Sequence, residues 1–347
     1  MLTAALIMCA VLVAVGTGFL WAARGFDAAA TAPEPEPAPS PSTNSESAPR
    51  AVGPGSGFRL ISWNIAYGRG PEDDVGKPRK EHEIRGYLDK IAKHLREVDA
   101  DVVAFQEIDF GSRRSFFIDQ FDYFRAELGY RYAARITTWK KNYVPYPGLN
   151  PRRHIGRVHN GQAVLSRFPI RSNERLVLPQ PTNFPWWYNA FYLNRSLQFV
   201  TIDLGVDLTL VNTHLEAFDT ENRAHQSGLL VSALTSRPAA EWIVVGDMNA
   251  LPPEATKKDA FEDEPGWDGS NDPTIEVLRV GLDVQETPGG SPDDGDLHFT
   301  FPATAPSRRL DYGFVSNSFD IVSARVDRSA GAVSDHLPIV LEVVLKA

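Results

Sequence analysis

The sequence predicts an α/β fold in which β-sheets are flanked by helices. Short apolar runs with the character of strands alternate with runs of helical spacing from about residue 58 to the end of the chain. The 347 residues are 43% hydrophobic and 23% charged, a balance that allows one large globular core. We therefore expect three segments, namely an anchor or signal at 1–24, a linker at 25–57 and a globular domain at 58–347.

The first 24 residues have the composition of a membrane-spanning segment. Residues 2–23 carry no charge, and a helix of that length measures about 33 Å, against about 30 Å for the hydrocarbon core of a bilayer. Trp21 and Arg24 fall where interfacial residues are expected. A cleaved signal peptide is the alternative, since residues 28–30 offer small side chains to a protease. We predict a membrane-anchored chain with an extracytoplasmic domain, or a secreted domain if the segment is cleaved.

Residues 25–57 have the composition of a disordered linker. They are rich in Pro, Ala and Ser and have no periodic apolar face. Such a stretch cannot bury a core. We predict an extended tether that joins the N-terminal segment to the globular domain.

Charge and cysteine content limit the partners and metals of the domain. The formal net charge of −9 argues against a surface that binds nucleic acid by neutralising phosphates. Cys9 is the single cysteine and lies in the apolar N-terminal run, so the domain has neither a disulfide nor a thiolate metal site. Any metal must be held by carboxylate, amide or imidazole groups. Oxygen ligands favour Mg2+, Mn2+ or Ca2+ over Zn2+.

The elements of the domain begin with a strand, a helix and a second strand. FRLISWN (58–64) predicts a strand, and apolar residues at helical spacing predict a helix over 81–98. Residues 99–101 end this helix, and the apolar run VVAFQEI (102–108) predicts a buried strand. Further apolar runs predict strands at 161–168, 197–204, 208–215, 242–249, 309–316 and 339–346. A hairpin turn at 205–207 and a helix over about 220–236, with Asp219 as its N-cap, complete the pattern.

Polar residues recur at or beside the ends of these apolar strands. They are Asn64, Glu107, Asn212, His214, Asp247, Asn249, Asp311, Asp335 and His336. Such groups are costly to bury unless they are paired or bind a ligand, and if the strands align, their ends form one cleft. The set suits phosphoester hydrolysis, which needs carboxylates to hold a divalent cation, a base for water and donors for the transition state. Structural roles stay open, since Asn64 and Asn212 could cap strand ends. Asp311 could likewise pair with Arg308 or Arg309.

Six short motifs follow one another along the domain. They are SWNI (62–65), QEI (106–108), NTHLEAF (212–218), GDMN (246–249), LDYGFV (310–315) and SDHLPI (334–339). In this order they resemble the endonuclease/exonuclease/phosphatase superfamily, which contains pancreatic-type deoxyribonucleases, apurinic-site endonucleases, neutral sphingomyelinases and inositol-polyphosphate phosphatases. The resemblance implies a four-layer α/β sandwich with two packed mixed β-sheets flanked by helices.

The resemblance also implies a role for each matching residue. It implies a metal, Mg2+ or Mn2+, bound by Glu107, Asn64 and Asp335. It implies a catalytic group made of His214, Asp247, Asn249, Asp311 and His336. In that group His214 contacts phosphate and Asp311 orients His336. The general base is either Asp247 or His336, and the family pattern leaves this choice open.

Two segments suggest how a substrate is bound. RRHIGRVHN (152–160) concentrates basic residues, and we predict a phosphate or polyanion subsite at Arg157, His159 and Asn160, with an exposed solvated loop as the alternative. The family often has Asn where Gln162 stands, so a substrate contact there is in doubt. TNFPWWYNAFYLN (182–194) is dense in aromatics, and Trp186 and Trp187 suit a lipid–water interface. Stacking on a substrate ring or packing onto the domain are the alternatives.

These observations predict a hydrolase that cleaves a phosphoester or phosphodiester with a divalent metal. The anchor, the acidic domain and the aromatic segment favour a membrane-associated or lipid-like substrate. The stretch 298–316 is similar to a branch of bacterial hydrolases related to proteins of glycosylphosphatidylinositol-anchor remodelling. An extracytoplasmic nuclease is one alternative, although nucleic acid is the less favoured partner of an acidic domain. A non-catalytic binding module on the same fold is the other.

Overall fold

The computed structural model describes residues 2–26, 34–35, 55–72, 77–238, 240–288 and 296–346. Within these ranges the helices are α1 (Leu2–Ala23), α2 (Glu81–Val98), α3 (Gln120–Leu128), α4 (Trp186–Asn189), α5 (Thr220–Thr235) and α6 (Thr274–Leu282). The strands are β1 (Gly25–Phe26), β2 (Glu34–Pro35), β3 (Gly57–Asn64), β4 (Val102–Asp109), β5 (Tyr132–Val144), β6 (Gly156–Ser166), β7 (Ile170–Val177), β8 (Ser196–Asp203), β9 (Asp207–His214), β10 (Trp242–Asp247), β11 (Gln285–Thr287), β12 (Asp311–Val315), β13 (Phe319–Val326) and β14 (Ile339–Leu345).

The strands form two mixed β-sheets. The first sheet has the order β1-β5-β6-β4-β3-β14-β13, and the second has the order β11-β12-β10-β9-β8-β7-β2. Each sheet thus consists of six strands of the globular domain and one two-residue strand from the N-terminal segment. The pairs β3–β4 and β9–β10 are parallel, and the other pairs are antiparallel.

Apolar side chains place the two sheets face to face and cover each outer face with helices. Leu60 and Val102 of the first sheet meet Leu210 and Val245 of the second in the central core. Helices α2 and α3 pack on the outside of the first sheet, and α5 and α6 pack on the outside of the second. Each large apolar side chain buried in this way contributes about 1.5–3 kcal/mol of transfer free energy. The predicted four-layer sandwich of packed mixed sheets and flanking helices is confirmed.

The two helices predicted in the domain begin and end within one residue of their predicted positions, whereas α3, α4 and α6 were not predicted. Helix α2 covers the predicted 81–98, and its spaced apolar residues, Ile84 and Leu88 among them, are buried. Its C-cap, Asp99, adopts the left-handed conformation with φ 52°. Helix α5 begins after Asp219, whose side chain accepts a hydrogen bond of 2.7 Å from the amide of Asn222. Local capping chemistry therefore defines these boundaries.

A chain of buried amides joins the two sheets near one end of the core. Gln106 of β4 donates to the Asn212 Oδ1 atom at 2.7 Å and to the Ser62 hydroxyl at 3.0 Å. Asn212 of β9 donates to Gln198 of β8 at 3.1 Å, and Gln198 donates to Asn173 of β7 at 3.0 Å. Asn212 therefore connects the sheets through hydrogen bonds inside the core.

The N-terminal segment includes one long helix. Helix α1 covers Leu2–Ala23 of the predicted anchor. Among the residues that the structure describes, no helix combines the length and apolarity needed to cross a membrane. In the predicted linker, β1 pairs with β5 and β2 pairs with β7. The rest of the linker up to residue 54 lies outside the described residues.

Candidate active site

Three neighbouring strands of the second sheet bring three polar residues side by side. In the parallel pair of β9 and β10, Asp247 lies opposite His214, and in the antiparallel pair of β10 and β12 it lies opposite Asp311. Gly246 precedes Asp247 with φ 148°, and a Cβ atom there would lie 1.9 Å from the carbonyl oxygen of Thr213. Glycine therefore allows β10 to approach β9 closely just before the carboxylate.

The first sheet contributes two residues from the facing strand ends. Asn64 ends β3, and Glu107 lies in β4 where the pairing with β6 shifts register between Phe105 and Ile108. Such an irregularity turns a side chain out of the ladder. Glu107 has φ 53°, a left-handed conformation that is costly for a residue with a side chain and that clusters at functional sites.

The carboxylate of Asp247 is the centre of the group. Its Oδ2 atom lies 3.0 Å from Asn64 Nδ2, 3.4 Å from His214 Nε2 and 3.5 Å from His336 Nε2. The Glu107 Oε1 atom lies 3.4 Å from Asn64 Nδ2 and 3.9 Å from His214 Nδ1. The side chain of Asp247 is 1% exposed, whereas that of Glu107 is 33% exposed. Glu107 therefore marks the solvent side of the group.

His336 is held in place by three contacts. Its Nδ1 atom lies 2.8 Å from Asp311 Oδ2, its ring lies 4.7 Å from the ring of Phe301, and its backbone oxygen accepts a 2.9 Å hydrogen bond from Trp63 Nε1. Because Asp311 binds Nδ1, the other nitrogen, Nε2, faces Asp247. This is the arrangement by which a carboxylate orients a catalytic imidazole.

The surroundings of the site shift the pKa values of Asp247, His336 and His214 in different directions. Burial raises the pKa of Asp247 to about 7, although His336 acts in the opposite direction. Burial alone would lower the pKa of His336, but the negative charges of Asp311 and Asp247 outweigh it and raise this pKa to about 10. Burial, with the positive charge of Arg195 and then of His336, lowers the pKa of His214 well below its usual value. His336 is therefore cationic and His214 neutral at pH 7.

Two further predicted residues lie beside the group with other partners. The amide of Asn249 donates to Asp247 Oδ1 at 2.9 Å, and its side chain donates to the carbonyl of Leu215 at 3.0 Å. Asn249 thus fixes the orientation of the Asp247 carboxylate. Asp335 pairs instead with Arg69, whose Nη2 atom lies 2.5 Å from Asp335 Oδ2. The predicted metal-binding role of Asp335 stays a prediction.

The predicted substrate-binding residues on β6 have separate environments. Arg157 is exposed, and Asn160 is buried and donates to Asp109 Oδ1 at 2.9 Å. The His159 Nε2 atom lies 3.0 Å from the hydroxyl of Thr137, and burial lowers the pKa of His159 to about 4. Neutral His159 and hydrogen-bonded Asn160 do not form a cationic subsite, and their role in substrate binding stays a prediction.

The predicted aromatic contacts lie on the surface. Trp186 and Trp187 belong to α4, and they are 74% and 52% exposed. Their neighbours Phe191 and Tyr192 turn inward, since Phe191 packs with the small core around Trp139 and Tyr192 is buried. The segment therefore packs onto the domain through one set of aromatics and exposes another.

Arg195 is a site residue that the sequence analysis missed. It immediately precedes β8, is only 7% exposed, and its positive charge lowers the pKa of His214. Its Nε atom is buried without a hydrogen-bond partner, and within the described residues its guanidinium makes no ion pair. Its position in the sequence could have indicated this role. Leu197 of β8 pairs with Thr213 of β9, so Arg195, two residues before Leu197, lies at the same end of the sheet as His214.

The donor set of the group fits a hard divalent cation. The donor atoms of Asp247, Asp311 and His336 lie within 4.8 Å of one another, and the two carboxylates are the candidate ligands among them, because a protonated imidazole has no free lone pair. The carboxylate of Glu107 adds oxygen donors on the open side. Carboxylate oxygens are the ligands that Mg2+ and Mn2+ prefer. The residues present are therefore compatible with the predicted metal.

Comparison with known proteins agrees with the fold and the motifs. The family model described as the Endonuclease/Exonuclease/phosphatase family matches residues 61–336. The chain belongs to this family, whose members are hydrolases that act on phosphoesters and generally depend on divalent metals. No protein of curated function matches the chain.

Solved structures share the architecture at low sequence identity. An endonuclease/exonuclease/phosphatase from Beutenbergia cavernae DSM 12333 is 23% identical with a TM-score of 0.58, covering 84% of this chain and 72% of that chain. The catalytic domain of human Nocturnin, with a bound sulfate anion, is 20% identical with a TM-score of 0.55, covering 84% and 95%. A mannosyl-6-phosphatase from Bacteroides thetaiotaomicron VPI-5482 is 15% identical with a TM-score of 0.52, covering 83% and 100%. At such identities the likeness concerns the fold.

Proposed function

We propose that the protein hydrolyses a phosphoester or phosphodiester with the help of a bound divalent cation, Mg2+ or Mn2+. The observation that carries the proposal is the buried carboxylate of Asp247, which lies within 3.5 Å of Asn64, His214 and His336. Asn64 comes from the first sheet, His214 and Asp247 come from the second, and His336 comes from the connection before β14. Buried titratable groups whose pKa values are shifted by burial and by nearby charges cluster at functional sites.

The cation would be held by Glu107 together with Asn64, as the motifs imply, with Asp335 as the third predicted ligand. When bound, it would neutralise phosphate charge and polarise the phosphorus–oxygen bond. Glu107 is suited to this role because its carboxylate is partly open to solvent. Asp335 forms an ion pair with Arg69, and this pair would have to break for Asp335 to bind the cation.

The raised pKa values favour Asp247 as the base and His336 as a cationic partner. With a pKa of about 7, Asp247 is ionised in a large fraction of molecules at neutral pH and can take a proton from water. The water oxygen then forms a bond to phosphorus as the bond to the leaving oxygen breaks. His336 is protonated, with a pKa of about 10, and its Nε2 atom can stabilise the developing charge or give its proton to the leaving oxygen.

Arg195 supplies a phosphate contact in this proposal. It is a buried cation without an ion-pair partner among the described residues, next to the neutral imidazole of His214. An arginine guanidinium binds phosphate oxygens through two parallel hydrogen bonds. Arg195 and His214 would therefore orient the phosphoryl group, while Asp247 and His336 act on it.

We further propose a membrane-associated or lipid-like phosphoester as the substrate, with the domain on the extracytoplasmic side. The exposed tryptophans of α4 support the substrate class, and the Pro/Ala/Ser-rich segment 25–57 supports the location. The net charge of −9 disfavours the nuclease alternative.

The test is a screen of the full chain with Mg2+ and with EDTA. The substrates are DNA, RNA, sphingomyelin, phosphoinositides and a soluble aryl phosphodiester. We expect hydrolysis of the aryl diester and of at least one lipid, abolished by EDTA. Turnover of nucleic acid alone would replace the lipid proposal with the nuclease. Absence of any turnover, with the fold intact by circular dichroism, would favour the binding module.

A further inference from the structure

One face of the domain exposes an unusual concentration of aromatic side chains. We define the aromatic surface as Tyr146, Trp186, Trp187, Tyr188 and Phe218, which are 53%, 74%, 52%, 37% and 71% exposed. Tyr188 is close enough to Tyr146 and to Glu216 for both to raise its pKa, after the larger effect of burial. The amide of Phe218 donates to the same Glu216 carboxylate at 3.0 Å. Three separate segments thus meet in this surface, namely the β5–β6 connection, α4 and the β9–α5 connection.

The aromatic surface is built on a rigid base. Phe184 lies 5.1 Å from the ring of Tyr188 and 5.3 Å from the buried ring of Tyr192. Trp139 donates through Nε1 to the carbonyl of Phe191 at 2.9 Å. The exposed rings are therefore held outward by packed aromatics beneath them. Large apolar groups held in water in this way mark a binding surface.

Helix α1 extends the aromatic surface. The ring of Phe19 lies 5.6 Å from Trp186 and 5.1 Å from Phe191. Asn142 of β5 fixes the end of the helix by donating to the carbonyl of Trp21 at 2.9 Å. The described part of α1 exposes further apolar side chains, namely Met8, Val11, Leu12, Val13, Val15, Leu20 and Trp21. Helix and aromatic surface thus form one continuous apolar area.

The aromatic surface borders the catalytic group. The hydroxyl of Tyr192, which supports it from below, donates to the buried carboxylate of Glu216 at 2.6 Å. Glu216 lies two residues beyond His214, and Tyr192 lies three residues before Arg195. A molecule seated on the aromatic surface would therefore be next to the residues that bind phosphate.

Cationic residues lie around the same area. Arg24 follows α1, and Arg152 belongs to the β5–β6 connection that carries Tyr146; both are exposed. Basic residues beside an apolar surface favour anionic headgroups, and aromatic side chains settle at the boundary between headgroups and acyl chains. Two exposed arginines thus border the apolar area in a chain whose net charge is negative.

From these observations we infer that the aromatic surface and α1 dock together on an anionic lipid bilayer. The docked domain would present Arg195 and His214 at the depth of the headgroups, where lipid phosphoesters lie. This inference rests on the proposed function for its consequence, which is hydrolysis of a bilayer phosphoester. Docking itself requires no hydrolysis.

Docking is tested by quenching of tryptophan fluorescence with brominated phosphatidylcholine in vesicles that contain phosphatidylglycerol. The full chain is used, in EDTA, so that hydrolysis does not enter the measurement. We expect the bromolipid quenching of Trp186→Phe/Trp187→Phe to fall by roughly two-thirds, since Trp21 remains as the third exposed tryptophan of the described residues. The matched control is Trp267→Phe, a tryptophan packed in a separate small core, which should leave the quenching unchanged.

Turnover provides the second readout. On vesicles, Trp186→Ala/Trp187→Ala should lose about tenfold more activity than on a soluble aryl phosphodiester, because each aromatic ring offers about 150–250 Å² of apolar contact. Equal quenching in the double Phe variant and wild type would overturn the docking inference, whatever the hydrolysis result. A dimer that dissociates in the double Ala variant, without bromolipid quenching in wild type, would also overturn it. Quenching without any hydrolysis would leave docking standing and reject the proposed function.

Discussion

The contact between Asp311 and His336 gives the sharpest prediction of the site. Asp311→Asn removes the negative charge that accepts from His336 Nδ1 at 2.8 Å but keeps the shape of the side chain. A hydrogen bond to a charged group is worth about 1.5–3 kcal/mol, and one pKa unit corresponds to about 1.36 kcal/mol. The pKa of His336, about 10 in the wild type, should therefore fall by about one to two units.

The assay is the pH dependence of kcat/KM for a soluble aryl phosphodiester in Mg2+. The rate should rise through about pH 7 as Asp247 ionises and fall through about pH 10 as His336 loses its proton. In Asp311→Asn the alkaline limb should move downward by the amount given above, and kcat should fall about 10²- to 10⁴-fold, because the imidazole loses its orienting group. An alkaline limb at the wild-type position would refute this reading of the pair.

A control and a stability measurement accompany this variant. Asp335→Asn is the control, because Asp335 pairs with Arg69 and raises the pKa of His336 less than Asp311 does. The alkaline limb of the Asp335→Asn profile should therefore move less than that of Asp311→Asn. The pKa of His336 is raised in the folded protein from its ordinary value of 6.5. The stabilisation from this pairing is therefore complete below about pH 6.5 and is lost as the pH rises through about 10. Chemical denaturation should show Asp311→Asn less stable than wild type at pH 6 and nearly equal to it above pH 10.

Three further substitutions test other parts of the account. Arg195→Met should lower kcat/KM about 10- to 100-fold through the loss of a charged phosphate contact. The urea midpoint should not fall, because the guanidinium has no ion-pair partner among the described residues. A large loss of stability with unchanged kcat/KM would instead assign Arg195 a structural role. Glu107→Gln should raise the Mg2+ concentration for half-maximal activity about tenfold or more, since the ligand loses its charge, and an unchanged metal requirement would exclude it as a ligand. Asn212→Leu should lower the free energy of unfolding by about 1–3 kcal/mol, because Gln106 loses its partner in the core; urea titration measures this, and a neutral result would count against the amide chain.

The sequence predicts the parts of the fold whose patterns are local. Helix α2 shows five apolar residues at helical spacing, and strands such as β4 and β9 are short apolar runs. Strands β5 and β13 were missed because polar and charged residues interrupt their patterns, as in YAARITTWKKNYV and FDIVSARV. These strands gain their stability from pairing with β6 and β14, which is a tertiary effect.

The sequence locates the centre of the site better than its surroundings. Asn64, Glu107, His214, Asp247 and His336 stand at or beside strand ends, and the alignment of those ends brings them together. The pairing of Asp335 with Arg69 and the burial of Arg195 depend on side-chain packing between distant segments. No periodic pattern in the sequence encodes such contacts. The concentration of basic residues at 152–160 likewise does not reveal that His159 is neutral and that Asn160 is hydrogen-bonded to Asp109.

The most direct test of the proposed catalytic site is hydrolysis of a soluble aryl phosphodiester. The rate of the full chain is compared with the rates of Asp247→Ala and His336→Ala. Rates are measured in Mg2+ and in EDTA, and circular dichroism verifies that each variant is folded. Both substitutions and EDTA should each reduce turnover by about 10³-fold or more, the scale expected when a base, a charged donor or the metal is lost. Folded variants that retain nearly wild-type turnover, or a wild-type rate that persists in EDTA, would contradict the assignment.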